Sequence, residues 1–362
     1  MYDGRVLEAM PGARNLVLAA GVTEGESVLI LMSNSSDLRL AQAIGTASRE
    51  RGAIPHVLIV PDTAGLVSGV FGDNSRNVQA SAVVREAAAN ANVLFNNTRG
   101  LDIGNIRAKG ARSVGLFTKD IDGLISPGAR LHPEILFKIV EVTQNQWRNA
   151  KTVTVTTEYG TKLTATVTKP SHVFGHITQT LRSGKFFNYA GGFGAVCMWP
   201  DWTANGDVAF DAVCNFNERT RKPLKWTVRE GRVVKVEGDP EHVEFINGYV
   251  AKNGPDANHF GEIMFGCNPF SRISVTAMYN GIHMETERHA GVMHCAVGSS
   301  TDLEDEQGNQ KTPSVRPAMH FDCMTLRPTI RVDDELSIEN GRLKTLDHPA
   351  VQEVAKKYGV TL

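Results

Sequence analysis

The segments 27-SVLILM-32, 37-DLRLAQAIGTASRER-51 and 54-IPHVLIV-60 decide the fold of the first half of the chain. The run at residues 27–32 is typical of a buried strand, residues 54–60 are predicted as the next strand, and the segment between them has the periodicity of an amphipathic helix. The start of this helix is marked by the capping side chains of Ser35, Ser36 or Asp37, and its end by Gly52. The three segments therefore predict a strand, a helix and a second strand parallel to the first.

The same alternation of helices and strands continues on both sides of this unit. Further helices are predicted at residues 5–20, 81–91 and 103–109, and further strands at residues 93–95 and 113–117. We therefore predict an α/β domain with an open, doubly wound sheet over residues 1–148. Neither GxGxxG nor GxxxxGKS/T occurs in the sequence, so this Rossmann-like domain is expected to lack a nucleotide site.

The pattern changes near residue 149 from alternating elements to consecutive strands. Residues 151–157 and 161–168 alternate between apolar and polar side chains, and Gly160 between them marks a hairpin turn. Residues 207–213, 224–230 and 232–237 have the pattern of further antiparallel strands, and residues 241–253 form one of few helical patterns. Residues 149–362 are therefore predicted to form a mainly antiparallel β domain that carries the functional site.

Length, charge and cysteine content restrict the class of protein. A chain of 362 residues exceeds the usual size of a single core, which favours two domains. A net charge of −1 supplies no field for nucleic acid or an acidic membrane, so a small-molecule substrate is expected. No secretory leader and no run of ~20 apolar residues is visible, so we expect a cytoplasmic protein. Five cysteines without a CxxC spacing favour buried free thiols.

His320 and Asp322 are the first candidate metal ligands. They lie two residues apart in residues 318–324, which have strand character, so both side chains are expected on one face. Imidazole nitrogen and carboxylate oxygen are donors that zinc, manganese and Fe(II) accept. The alternative interpretation is a polar strand face that binds no ion.

Two further polar residues, Glu262 and His294, lie in apolar surroundings where an uncompensated charge would be costly. Taken alone, Glu262 is either a ligand or a salt-bridged structural acid, and His294 is either a ligand or a core histidine. The tract His283-Met-Glu285-Thr-Glu287-Arg-His289 lies between them and interleaves imidazoles with carboxylates. Its alternative interpretation is a solvated charged loop.

Three sequence blocks near the carboxyl terminus occur in an order typical of one enzyme group. They are GE-x-x-x-G-x-NP at residues 261–269, H-x-A-x-G at residues 294–298 and H-x-D at residues 320–322. In these blocks the chain resembles the aminopeptidase T family of metallopeptidases and its divergent relative, 2,5-dihydroxypyridine 5,6-dioxygenase. The resemblance extends over most of the chain and implies a homodimer. It also implies that a divalent ion, which is zinc, manganese or Fe(II), is held by four residues: Glu262, His294, His320 and Asp322.

Two differences from these relatives bear on the chemistry. The peptidases have a glutamate that bridges two metals, whereas residues 190–193 read Ala-Gly-Gly-Phe, which implies a single ion. The dioxygenase holds its iron with two histidines and one aspartate, and its first histidine falls at Glu262. A centre so rich in carboxylate leads us to rank hydrolysis of a C–N bond in a small molecule first. The alternatives are a ring-cleaving Fe(II) dioxygenase acting on a hydroxylated pyridine-type ring and an aminopeptidase.

Roles for the remaining residues follow from a metal ion that polarises a carbonyl and lowers the pKa of bound water toward ~7. A nearby side chain would then carry the proton. The candidates for this shuttle are Glu285, Glu287, His283 and His289. The candidates for substrate binding are His172, His176, Trp199 and Trp202, for which helix capping and core packing are the alternative interpretations.

Overall fold

A computed structural model describes most of the chain. The described residues are 4–61, 81–98, 109–118, 120–167, 173–175, 179–189, 195–198, 202–213, 219–254, 257–273, 282–298, 303–304, 310–311 and 320–362. Among these residues, no helix is long and apolar enough to cross a membrane.

The first half of the chain forms the predicted parallel sheet. Its elements are α1 (Gly4–Ala19), β1 (Ser27–Ser33), α2 (Leu38–Glu50), β2 (Ile54–Val60), α3 (Ala82–Ala89), β3 (Val93–Asn96), β4 (Arg112–Leu116), α4 (Asp122–Ile125), α5 (Pro127–Arg130) and α6 (Pro133–Trp147). The sheet has the order β2-β1-β3-β4-β8, with every pair parallel, and its last strand β8 (Phe186–Tyr189) comes from later in the chain. Of the helix predicted at residues 103–109, only residue 109 lies within the described residues.

Both faces of β1 are covered, as its apolar run requires, whereas the edge strand β2 is largely exposed. Val28, Ile30 and Met32 belong to the main core, which also contains the buried residues of α1 and α2. Leu29 and Leu31 point to the other face and belong to a smaller core with α3. Because side chains alternate along a strand, one seven-residue strand supplies both layers. The doubly wound architecture is therefore confirmed.

The second half forms one large antiparallel sheet. Its elements are β5 (Thr152–Thr156), β6 (Lys162–Val167), β7 (Val173–Gly175), β9 (Ala195–Met198), β10 (Trp202–Val213), β11 (Arg219–Arg229), β12 (Arg232–Glu237), α7 (Pro240–Asn253), β13 (Phe260–Gly266), α8 (Ile282–Arg288), β14 (Met293–Gly298), β15 (Leu303–Glu304), β16 (Gln310–Lys311), β17 (His320–Thr325), β18 (Thr329–Val332), β19 (Glu335–Glu339), β20 (Arg342–Leu343), a 3-10 turn (Lys344–Asp347) and α9 (Pro349–Lys357). The strand order is β20-β19-β18-β5-β6-β10-β17-β14-β13-β9-β7, and β11 and β12 branch from β10, whereas β15 and β16 pair with each other in a separate two-stranded sheet. The predicted β-rich second half is confirmed, whereas the domain boundary at residue 148 stays a prediction.

Trp147, the last residue of α6, fixes this helix to the large sheet. Its indole is fully buried, and Nε1 donates a hydrogen bond of 2.9 Å to Ser337 Oγ in β19. The ring also lies 4.7 Å from the ring of Phe265 in β13, centroid to centroid. One side chain therefore joins the helical layer to two strands of the sheet, one of which carries a candidate metal ligand.

Replacing Trp147 with alanine is expected to lower the free energy of unfolding by about 3–5 kcal/mol, because the surrounding core cannot fill the cavity. Urea unfolding followed by circular dichroism measures the change. The matched control is Leu7→Ala on α1, whose side chain is 58% exposed and whose loss should cost less than about 0.5 kcal/mol. Equal losses in the two variants would contradict this role of Trp147.

Candidate metal centre

Three adjacent strands, β13, β14 and β17, bring Glu262, His294 and Asp322 to one face of the large sheet. Ala296 of β14 lies opposite Glu262 on one side and opposite Asp322 on the other. Residues directly opposite in an antiparallel pair share a face, and His294 lies two residues before Ala296 on the same strand. We call this the ligand face. All three candidate ligands thus come from strands of one sheet.

A register shift before Glu262 directs this side chain toward the others. The pairing of β13 with β14 shifts between Phe260 and Glu262, which is the signature of a β-bulge with Gly261 as the extra residue. Bulges bend a strand and re-aim the side chains that follow. The Gly-Glu order of the sequence block at residue 261 therefore has a structural reason.

The three side chains are close together and almost inaccessible to solvent. One donor atom from each lies within 4.8 Å of the others, and His294 Nε2 is 2.9 Å from Glu262 Oε1. Their exposed fractions are 3% for Glu262, 2% for His294 and 4% for Asp322. Two carboxylates in such a place are costly unless a cation compensates them.

Electrostatics favour a cation at this site. Burial lowers the pKa of His294, but the charge of Glu287, the hydrogen bond to Glu262 and the charge of Asp322 outweigh it and raise the pKa above its usual value. Burial, together with the charges of Glu262 and Asp322, raises the pKa of the Cys295 thiol well above its usual value. The negative potential that these carboxylates create is the potential that attracts a metal ion.

The buried set fits a divalent metal ion by its chemistry. Imidazole nitrogen and carboxylate oxygen suit zinc, manganese and Fe(II). Nδ1 of His294 is buried and has no hydrogen-bond partner among the described residues, so either ring nitrogen of His294 can serve as a donor atom once Glu262 binds the ion. To this extent the predicted divalent-metal cofactor is confirmed.

Several predicted site residues cannot be placed by their side chains. His320 begins β17 opposite Gly298, two residues before Asp322, but its side chain lies outside the described part of the structure. The same holds for the side chains of Trp202 in β10 and His283 in α8. Three more predicted residues lie entirely outside the described residues: His172, His176 and Trp199. The roles of these residues stay predictions.

The predicted shuttle residues Glu285 and Glu287 are buried in α8, so the alternative of a solvated loop does not hold for them. Glu285 accepts hydrogen bonds from Ser126 Oγ and from the Nε and Nη2 atoms of Arg272, at 3.0 and 2.8 Å. Glu285 therefore ties α8 to the start of α5. His289 Nδ1 lies 2.6 Å from the carbonyl oxygen of Ser271, which accepts a hydrogen bond from it.

The end of α8 is pressed against the end of β13. The backbone N–H of Asn268 donates to the carbonyl oxygen of Arg288 at 2.8 Å. A Cβ atom on Gly266 would lie 2.3 Å from both the carbonyl carbon of Arg288 and the carbonyl oxygen of His289. The absence of a side chain at Gly266 is what lets Glu287 and Arg288 approach the ligand face.

Sequence reasoning missed Arg288, although it named the residues on both sides. Its side chain is buried, and Nη1 lies 3.9 Å from the sulfur of Met264 on β13. The available signal was an arginine inside a tract of acids and imidazoles. Nothing local in the sequence indicated the contact between Ser126 and Glu285, which are 159 residues apart.

Comparison with known proteins identifies the family. A family model described as NicX, 2,5-dihydroxypyridine 5,6-dioxygenase, matches residues 12–345, a span that includes the whole ligand face. The chain belongs to the NicX family. This family was one of the two relatives that the sequence blocks indicated, so the predicted resemblance is confirmed.

Solved structures show the same fold at low sequence identity. The 2,5-dihydroxypyridine dioxygenase from Pseudomonas putida KT2440 is 19% identical, with a TM-score of 0.68 over 94% of this chain and 98% of that one. Wild-type AmpT from Thermus thermophilus is 12% identical, with a TM-score of 0.54 over 93% and 99% of the two chains. No curated protein sequence matches significantly. This NicX family member thus shares its architecture with both an oxygenase and AmpT.

Proposed function

We propose that the chain is a metal-dependent dioxygenase that opens a hydroxylated pyridine-type ring. The observation that supports this function is the NicX family match over residues 12–345, within which Glu262, His294 and Asp322 form a buried ligand cluster. The family match reverses the order of our two leading hypotheses. Hydrolysis, which the sequence ranked first, is not confirmed.

The residues of the chain would divide the work between metal binding and proton handling. Glu262, His294 and Asp322, with His320 as a further proposed ligand, would hold Fe(II), which supplies the capacity to activate dioxygen toward a ring. The ligand side chains are nearly dry, so their charges act at low dielectric. Glu287 is buried beside His294 and would accept the proton of a ring hydroxyl.

An oxygen electrode tests this proposal directly. Protein purified anaerobically and loaded with Fe(II) is expected to consume one dioxygen per molecule of 2,5-dihydroxypyridine, and the aromatic absorbance should disappear at the same rate. Both atoms of isotopically labelled dioxygen should enter the product. Aminopeptidase substrates serve as the negative control. Ring loss at an equal rate without oxygen would contradict the dioxygenase.

Hydrolysis of a C–N bond remains the second candidate because of one observation. Glu262 stands where the dioxygenase pattern has its first histidine, so the described centre contains two carboxylates and one imidazole. Such a set suits zinc that activates water. Zinc-loaded protein that releases an amine from an amide without oxygen uptake would support this candidate. The small-molecule substrate and the homodimer likewise stay proposals.

A further inference from the structure

Arg288, at the end of α8, is a buried cation next to the candidate metal centre. It is the one arginine or lysine that is fully buried among the side chains that the structure describes. A buried guanidinium is costly unless negative groups surround it. Its position therefore requires an explanation beyond packing.

The guanidinium lies over the ligand face. Its Nη1 is 3.9 Å from the sulfur of Met264, and Met264 is directly opposite His294 in the strand pairing. Met264 also lies two residues after Glu262 on β13, so it shares the face of that ligand. The positive charge of Arg288 is thus placed at the edge of the ligand cluster.

Negative charges outnumber positive ones around the ligand cluster. Glu262, Asp322 and Glu287 are three buried carboxylates, and Glu287 is the foremost of the charges that act on His294. Arg288 opposes them with a single fixed positive charge. With His294 neutral, these four side chains carry two net negative charges. A divalent ion neutralises this charge, whereas a trivalent ion leaves one excess positive charge. The set therefore matches a divalent ion better than a trivalent one.

We propose that Arg288 sets the reduction potential of an iron ion bound to Glu262, His294 and Asp322, and keeps that ion ferrous. A fixed positive charge in a dry site opposes the loss of an electron from the metal, because oxidation adds a further positive charge nearby. Glu287 acts in the opposite direction. This inference rests on the proposed function in taking iron as the metal.

Four variants compared with the wild type test this assignment: Arg288→Met, Arg288→Lys, Glu287→Gln and the double variant Glu287→Gln/Arg288→Met. Each is loaded anaerobically with Fe(II), and its potential is titrated with redox mediators while the ferric signal is followed by electron paramagnetic resonance. At a given solution potential, the ratio of Fe(III) to Fe(II) in Arg288→Met is expected to exceed that of the wild type by at least roughly tenfold, for an effective dielectric constant of about 20. For this one-electron couple, tenfold corresponds to a potential about 59 mV lower.

The other variants test the direction of the shift in reduction potential. Arg288→Lys keeps the charge and should retain the wild-type potential, Glu287→Gln should raise the potential, and the double variant should return close to the wild type. Arg342→Met, which removes an exposed arginine, should leave the potential unchanged. If Arg288→Met does not fold, the double variant compared with Glu287→Gln carries the test, because the two differ only at Arg288 and the double variant should have the lower potential.

Several results would overturn the assignment. Shifts of the same sign in Arg288→Met and Glu287→Gln would mean a general disturbance of the site, and an unchanged potential in both would mean that neither charge acts on the metal. Failure of the wild type to bind iron would also remove it. The potential is measured without turnover, so a correct set of shifts together with no oxygen uptake would refute only the dioxygenase.

Discussion

Replacing Asp322 with asparagine is expected to lower the affinity for the divalent metal by at least about 100-fold. Loss of residues that only support a ligand already costs about 10–100-fold, and Asp322 is itself a proposed ligand. The substitution keeps the size of the side chain and removes the negative charge from a position that is almost fully buried. Metal content after dialysis, and competition with a chelator, measure the change.

Without metal, the same substitution should not lower the stability of the protein. In chelator-treated protein, Asp322→Asn should be at least as stable as the wild type, because it removes one of the buried carboxylates that crowd the ligand face. Metal at about 100 times its dissociation constant should stabilise the wild type by about 2.7 kcal/mol and the variant far less.

Asp347→Asn on the 3-10 turn is the control for Asp322→Asn. Its carboxylate is half exposed and forms a surface ion pair with Arg342, so both metal affinity and metal-induced stabilisation should be unchanged. Equal metal binding by Asp322→Asn and the wild type would remove Asp322 from the metal centre.

Replacing Gly266 with alanine is expected to destabilise the protein by about 3 kcal/mol or more, at the upper end of overpacking substitutions. The added Cβ would lie 2.3 Å from backbone atoms of Arg288 and His289, and backbone cannot move aside as a flexible side chain can. Either β13 or the end of α8 must therefore shift. Urea unfolding measures the loss, and hydrogen exchange of α8 should accelerate together with it.

Gly248→Ala in α7 is the matched control for Gly266→Ala. A Cβ at Gly248 meets no atom within 4 Å, so the substitution should stabilise the helix by about 0.4–1 kcal/mol. A similar stability of the two alanine variants would mean that the contact between β13 and α8 is easily displaced.

Local periodicity was enough to predict the architecture. The run 27–32 and the helix after Asp37 have the period of buried strands and amphipathic helices, and the structure confirms both. The strict alternation at residues 151–157 likewise predicted an antiparallel strand. These elements were predictable because each depends on neighbours a few residues apart.

Long-range pairing was not predictable from the same patterns. The parallel sheet takes its last strand, β8, from residues 186–189, although the sequence changes to antiparallel patterns near residue 149. The ion pair of Glu285 with Arg272 also depends on tertiary structure. The local sequence around Glu285 fits a solvated loop equally well. The sequence blocks identified Glu262, His294 and Asp322 as candidate ligands, but only the strand register brings them together.

The alternation of side chains on β14 and β17 restricts which insertions and deletions these strands can tolerate. Cys295 and Cys323 lie opposite one another, each next to a candidate ligand in sequence, and both are buried on the reverse face. Deleting one residue of β17 before Asp322 would exchange the faces and place the sulfur of Cys323 where an aspartate oxygen now lies. The phase of β14 and β17 thus selects nitrogen and oxygen donors over sulfur donors, so length variation should be confined to the connections between the strands.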